Sequence, residues 1–136
     1  MANQLDLDKK YLEIAMLWSK LSTARRMQVG CIVVRDNQII SDGYNGTPSG
    51  FDNCCEDNDF ITKPEVLHAE SNALMKLAAS TQTSKDATVY VTLSPCFECS
   101  KLIVQAKIKR VVFSELYRLN SGLDLLKKAG ITVEQI

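Results

Sequence analysis

Apolar positions along the chain switch between a helical and a strand period. From about Asp8 to Leu21 they fall at Tyr11, Leu12, Ile14, Ala15, Leu17, Trp18 and Leu21, a helical stripe with Asp8 placed to cap its start. The segment QVGCIVVRDNQIISDGYN reads as two strands joined by a turn at Asp36–Asn37. Residues 46 to 64, rich in Gly, Pro, Asn and Asp, follow as one long loop, a length that in a compact domain points to function or mobility. Helical periodicity resumes from about Val66 to Ala79. The strand ATVYVTLS leads to a helix opened by Pro95. KRVVFSE is a short apolar strand, NSGLDLLKKAG a helix with a glycine stop, and ITVEQI a last strand.

The resulting order is α-β-β-α-β-α-β-α-β. Strands that alternate with helices after the hairpin should run parallel through right-handed crossovers, and their sheet needs helices on both faces. The expected fold is α/β, a three-layer α/β/α sandwich around a mixed five-stranded sheet. It is expected to form a single domain over residues 1–136.

Composition changes this picture little, and charge narrows it. Lys+Arg and Asp+Glu both number 16, so the net charge is zero. A general nucleic-acid binder needs a basic face to neutralise phosphates, so no nucleic-acid partner is expected. No segment is apolar for long enough to span a bilayer, and MANQLDLDKK lacks a signal peptide's apolar stretch. The expected location is therefore cytoplasmic, with no membrane partner. In that reducing compartment five cysteines are poor disulfide material, and closely spaced ones read as metal ligands or catalytic groups. Cys31, inside VGCIVV, reads instead as a small core residue.

Cys96 and Cys99 have metal-ligand spacing, on the first turn of a helix whose N-terminus favours thiolates. His68, the only histidine, completes a three-ligand set with one position open, the arrangement of a catalytic rather than a structural zinc. A His-Cys-Cys set also accepts iron. Glu70 lies two residues after His68, and the two side chains converge only if the metal sits off the helix end. The histidine then ligates while the carboxylate reaches a water acidified by the cation, and carries its proton to a substrate nitrogen.

The pairing of H-A-E with P-C-F-E-C resembles the signature of the zinc-dependent nucleobase and nucleotide deaminases. Within that superfamily the chain looks most like the deoxycytidylate deaminases. The closer likeness lies in GYNGTPSG (43–50), HAESNALM (68–75) and VTLSPCFECSKLIVQAKIKRVVF (91–113). The resemblance implies a cytidine deaminase-like fold and hydrolysis of dCMP to dUMP and ammonia, feeding thymidylate synthesis. It implies zinc on His68, Cys96 and Cys99, with Glu70 as the catalytic proton shuttle between the attacking water, N3 and the departing amino group. The Ala69 backbone N–H would meet the base O2, and Asn45 the sugar. For the 5′-phosphate, Arg25 and Arg26 in TARRMQVG are the candidates, with Arg26 favoured and Tyr117 as a second contact. Family members are commonly homohexamers activated by dCTP with Mg²⁺ and inhibited by dTTP. The segment Gly43, Tyr44, Asn45, Gly46, Thr47 and Gly50 resembles the effector-binding loop, with glycines that permit close approach of a phosphate.

Some phage members carry a second, structural zinc that uses a cysteine of an N-C-C motif like Asn53-Cys54-Cys55. This chain lacks the added cysteine and histidine, so Cys54 and Cys55 are expected to pack under the loop or to touch an effector. Two other readings stand beside this one. One is a deaminase of another cytosine or adenine nucleotide, including a tRNA adenosine. The other is a zinc-stabilised binding module without catalysis, which would need no glutamate at position 70.

Overall fold

A computed structural model describes residues 1–136. Nine elements follow in the expected order: α1 (Gln4–Ser19), β1 (Gly30–Arg35), β2 (Gln38–Tyr44), α2 (Ala69–Ala78), β3 (Thr88–Leu93), α3 (Phe97–Gln105), β4 (Arg110–Glu115), α4 (Ser121–Lys128) and β5 (Thr132–Gln135). They build one five-stranded sheet in the order β2-β1-β3-β4-β5. β1 runs antiparallel to both β2 and β3, while β3, β4 and β5 run parallel, so the sheet is mixed as expected. Asp36 and Asn37 take the left-handed backbone, with φ of 52° and 59°. That is the turn whose twist matches a tight hairpin.

The inner strands are apolar on both faces because both faces are covered. Cys31, Val33, Val89, Val91, Val111 and Phe113 pack with side chains of α2, α3 and α4 in the larger core. The alternate positions Ile32, Val34, Tyr90 and Val112 meet Leu12 and Ala15 of α1. The three layers are thus α1, the sheet, and the remaining helices. Cys31 is fully buried, as its apolar surroundings implied.

Three helix starts differ from the sequence expectation. Asp8 does not cap α1. Asn3 does, in a reciprocal capping box with Asp6, and Asp8 lies inside the helix, 2% exposed. There its carboxylate takes a bidentate pair from Arg110 at 2.6 and 2.8 Å and the Tyr90 hydroxyl at 2.6 Å. A lone aspartate near a helix start reads as a cap, and only the partner more than a hundred residues away reveals its other use. The second helix begins at Ala69, not Val66, because Leu67 is held in an extended bridge with Gly46. Pro95 likewise precedes the cap of α3, which is Cys96, rather than opening the helix itself.

The start of β1 and the ends of β2, β3 and β4 gather at one edge of the sheet, as their directions require. The segments leading into α2 and α3 leave from that edge, so whatever they carry meets there. Ligands of open α/β sheets lie at the carboxyl ends of strands for this reason.

Candidate active site

His68 is the N-cap of α2, Cys96 the N-cap of α3, and Cys99 lies one turn further in. His68 Nδ1 is 3.4 Å from Cys96 Sγ and 3.3 Å from Cys99 Sγ, and the three ligand atoms lie within 4.8 Å of one another. A tetrahedral zinc, with bonds of about 2.3 Å to sulfur and about 2.0 Å to nitrogen, separates such atoms by about 3.5 Å. The donor set and its spacing fit that ion through Nδ1, with a fourth position left for water or substrate. The groups also share protons as a metal site does before loading. The Cys99 thiol's hydrogen bond, against burial and with help from His68, brings Cys96 down to about 4. That shared proton and burial hold Cys99 up. The Cys96 hydrogen bond, against burial, raises His68.

Glu70 sits on the first turn of α2, 4% exposed. Burial pushes its carboxyl up to about 7, against its own backbone N–H and the His68 charge, and the Cys96 charge adds to the rise. A carboxyl poised near neutrality accepts and returns protons readily. Because His68 precedes the helix in extended backbone while Glu70 is within it, the two side chains line one cavity of about 410 Å³. Ala69 lines it too, and as the first residue of α2 its N–H has no partner within the helix.

Arg26 and Tyr117 line the same cavity. The two neighbouring arginines divide in use. Arg25 turns its guanidinium to Glu56 at 3.5 Å and over the Phe60 ring at 4.8 Å. Arg26 lends Glu56 only its backbone N–H, and its side chain is left to the cavity. The sequence reading missed a second cation there, Arg118, which stacks 5.7 Å from the Tyr117 ring. Its place just past β4, beside Tyr117, was the available signal.

Asn45 lines the cavity, yet its amide already ties two backbone groups together. Oδ1 accepts from the Val29 N–H at 2.9 Å, and Nδ2 donates to the Met27 carbonyl at 2.7 Å. One N–H and one lone pair remain for a ligand. Of the segment 43–50, Asn45 alone reaches the cavity. The close approach that Gly43 permits is to a helix: a Cβ there would stand 2.5 Å from the Ala69 carbonyl oxygen and 2.7 Å from the Ala73 nitrogen. Tyr44 ends β2, Gly46 bridges Leu67, the Thr47 hydroxyl donates to the Asp52 carbonyl, and Gly50 has a φ of +89° in open space. Cys55 is buried against Thr23, whereas Cys54 is exposed.

The comparisons with known proteins agree on the kinship. Residues 5–115 match the model of the family described as the cytidine and deoxycytidylate deaminase zinc-binding region. Deoxycytidylate deaminase of Homo sapiens is 40% identical, over 94% of this chain and 78% of its own length. Its counterpart in Saccharomyces cerevisiae is 38% identical over 94% of this chain, which spans only 44% of that longer protein. Among solved structures, the dCMP deaminase of cyanophage S-TIM5 in complex with dCMP and dUMP superposes with a TM-score of 0.96. It is 43% identical, over 99% of this chain and 100% of the other. A His-Cys-Cys cluster beside a buried glutamate, on this fold and with these relatives, places the chain in the cytidine and deoxycytidylate deaminase zinc-binding family.

Proposed function

We propose that this chain hydrolyses dCMP to dUMP and ammonia. The observation that carries the reading is one cavity lined by the buried Glu70, by His68 and Cys96 with Cys99 clustered behind them, and by two arginines outside any ion pair. The relative solved with dCMP and dUMP supports the choice of nucleotide. When bound by His68 Nδ1 and the two thiolates, zinc supplies a water whose pKa falls towards about 7. Glu70 takes a proton from the attacking water and gives it to N3 as the C4–O bond forms. It then moves the proton of the new C4 hydroxyl to the amino group, so that ammonia leaves and the uracil carbonyl remains. The Ala69 N–H donates to the base O2, and the spare N–H or lone pair of Asn45 meets the sugar. Arg26, with Tyr117 and Arg118 beside it, holds the 5′-phosphate by charge-assisted hydrogen bonds.

On this reading the enzyme supplies dUMP for thymidylate synthesis in the cytoplasm. It works as a homohexamer, with dCTP and Mg²⁺ raising its activity and dTTP lowering it. No helix is long and apolar enough to cross a membrane. Effector control has a short physical route, because Gly46 is joined by two backbone hydrogen bonds to Leu67, the neighbour of His68.

Purified, zinc-loaded protein incubated separately with dCMP, CMP and deoxycytidine, with and without dCTP·Mg²⁺ or dTTP, tests the proposal through loss of cytosine absorbance. Turnover of dCMP alone, raised by dCTP and suppressed by dTTP, is expected. Turnover of deoxycytidine with no phosphate preference would remove Arg26 from its role. With metal confirmed, turnover of none would overturn the reading in favour of another base or a binding module.

A further inference from the structure

The stretch from Ser22 to Gln28 that carries Arg26 belongs to no helix or strand, so its backbone amides have no ladder to join. Two of them find a single acceptor. The Glu56 carboxylate, 2% exposed, accepts from the Arg25 N–H at 2.9 and 3.1 Å and from the Arg26 N–H at 3.1 Å. Buried amides need partners, and an ionised acceptor makes the stronger bond. The same carboxylate draws the Arg25 guanidinium to itself, which reaches on to the Asp57 carbonyl at 3.4 Å. Burial works against the charge on Glu56, and the Arg26 and Arg25 amides outweigh it, holding the carboxyl below its ordinary range. Glu56 sits on the long loop, fixed by an extended bridge to Thr62, and lines the cavity with Arg26.

We propose that Glu56 is a positioning residue for phosphate recognition, clamping the Arg25–Arg26 backbone so that Arg26 faces the cavity while Arg25 is drawn away. The proposal rests on the reading of Arg26 as a phosphate contact. It assigns part of the long loop a task that neither its Gly-Pro chemistry nor its cysteines revealed.

Glu56→Gln in the zinc-loaded full chain tests it. Glutamine keeps the shape but turns one acceptor oxygen into a donor facing backbone amides. The KM for dCMP and the Ki for dUMP should rise together, by about tenfold. The kcat should stay within about threefold, and the Ki for deoxyuridine, which lacks the phosphate, should not move. In an Arg26→Gln background the Glu56 exchange should add nothing further. Equal weakening of dUMP and deoxyuridine, or a fall in kcat with KM unmoved, would overturn the proposal. If Arg26→Gln weakens dUMP and Glu56→Gln does not, Glu56 alone loses its role. If Arg26→Gln leaves dUMP binding as in wild type, the Arg26 reading itself fails. Should Glu56→Gln not fold, Glu56→Asp keeps the charge, withdraws it by one methylene, and is read for the same split.

Discussion

His68 and Glu70 illustrate how much one residue's backbone decides. Two positions apart on a regular helix, their side chains would diverge, but His68 is the cap and Glu70 the second helical residue, so both line the cavity. On the proposed mechanism Glu70→Gln removes the proton carrier and leaves His68, Cys96 and Cys99 in place. We expect kcat to fall by roughly 10³-fold with zinc content by atomic absorption unchanged. Parallel loss of the metal would instead make the glutamate a support for the ligands. At this scale the grouping of His68, Cys96 and Cys99 beside Glu70 was legible from residue type and spacing. The split use of Arg25 and Arg26 was only half legible, because an arginine's partner is chosen by folding. Arg118 was signalled only by its place just past β4, beside Tyr117, and Glu56, a single charge in a long loop, had no local signal at all.

At the scale of elements, two glycines bring the ligand-bearing helices to their stations. Gly43 lets α2 lie directly on β2. A Cβ on Gly122, at the start of α4, would stand 2.3 Å from the Pro95 carbonyl oxygen and 2.9 Å from the Cys96 carbonyl carbon, so α4 presses on the cap of α3. In both places the obstacle is backbone, which cannot rotate away. Gly43→Ala and Gly122→Ala should each cost about 1–3 kcal/mol in denaturant unfolding. They should also lower kcat (Gly43) or zinc retention against a chelator (Gly122) well beyond the effect of Gly130→Ala. Gly130 has a φ of +83° and open space around it, so the last substitution strains only its own backbone. Element types and order were readable from periodicity and turn chemistry. The start of α2 was not, because Leu67 is held by Gly46, and at α1 the Asn3–Asp6 capping box was overlooked for Asp8, whose partner lies far along the chain.

For the molecule as a whole, the far side of the sheet is fastened by Asp8, Tyr90, Arg110 and Glu134, which link α1 to β3, β4 and β5. Burial raises the Asp8 pKa, but hydrogen bonds from Arg110, Tyr90 and Gln4 outweigh it, and the group settles from 3.8 to about 2. A depressed carboxyl contributes stability above its unfolded pKa and loses it as the pH falls towards its folded one. The contribution is about 2.5 kcal/mol at neutral pH, fading between about pH 4 and pH 2. Asp8→Asn should cost about 3 kcal/mol at pH 7, since Arg110, only 15% exposed, keeps Glu134 alone as an ionic partner. Melting curves should show that deficit narrowing below about pH 4, and a deficit independent of pH would mean the carboxyl is not depressed. By itself the sequence determined the α/β architecture, the sheet's parallel half, and the grouping of His68, Cys96 and Cys99 beside Glu70. Those follow from local period, turn chemistry and donor type, which a chain carries in its own order. Only the tertiary structure decided what holds Arg25 away from the cavity, that Gly43 serves a helix, and that the buried Asp8 pairs with Arg110. Each depends on what the folded chain brings across from tens of residues away, and no local pattern encodes that neighbour.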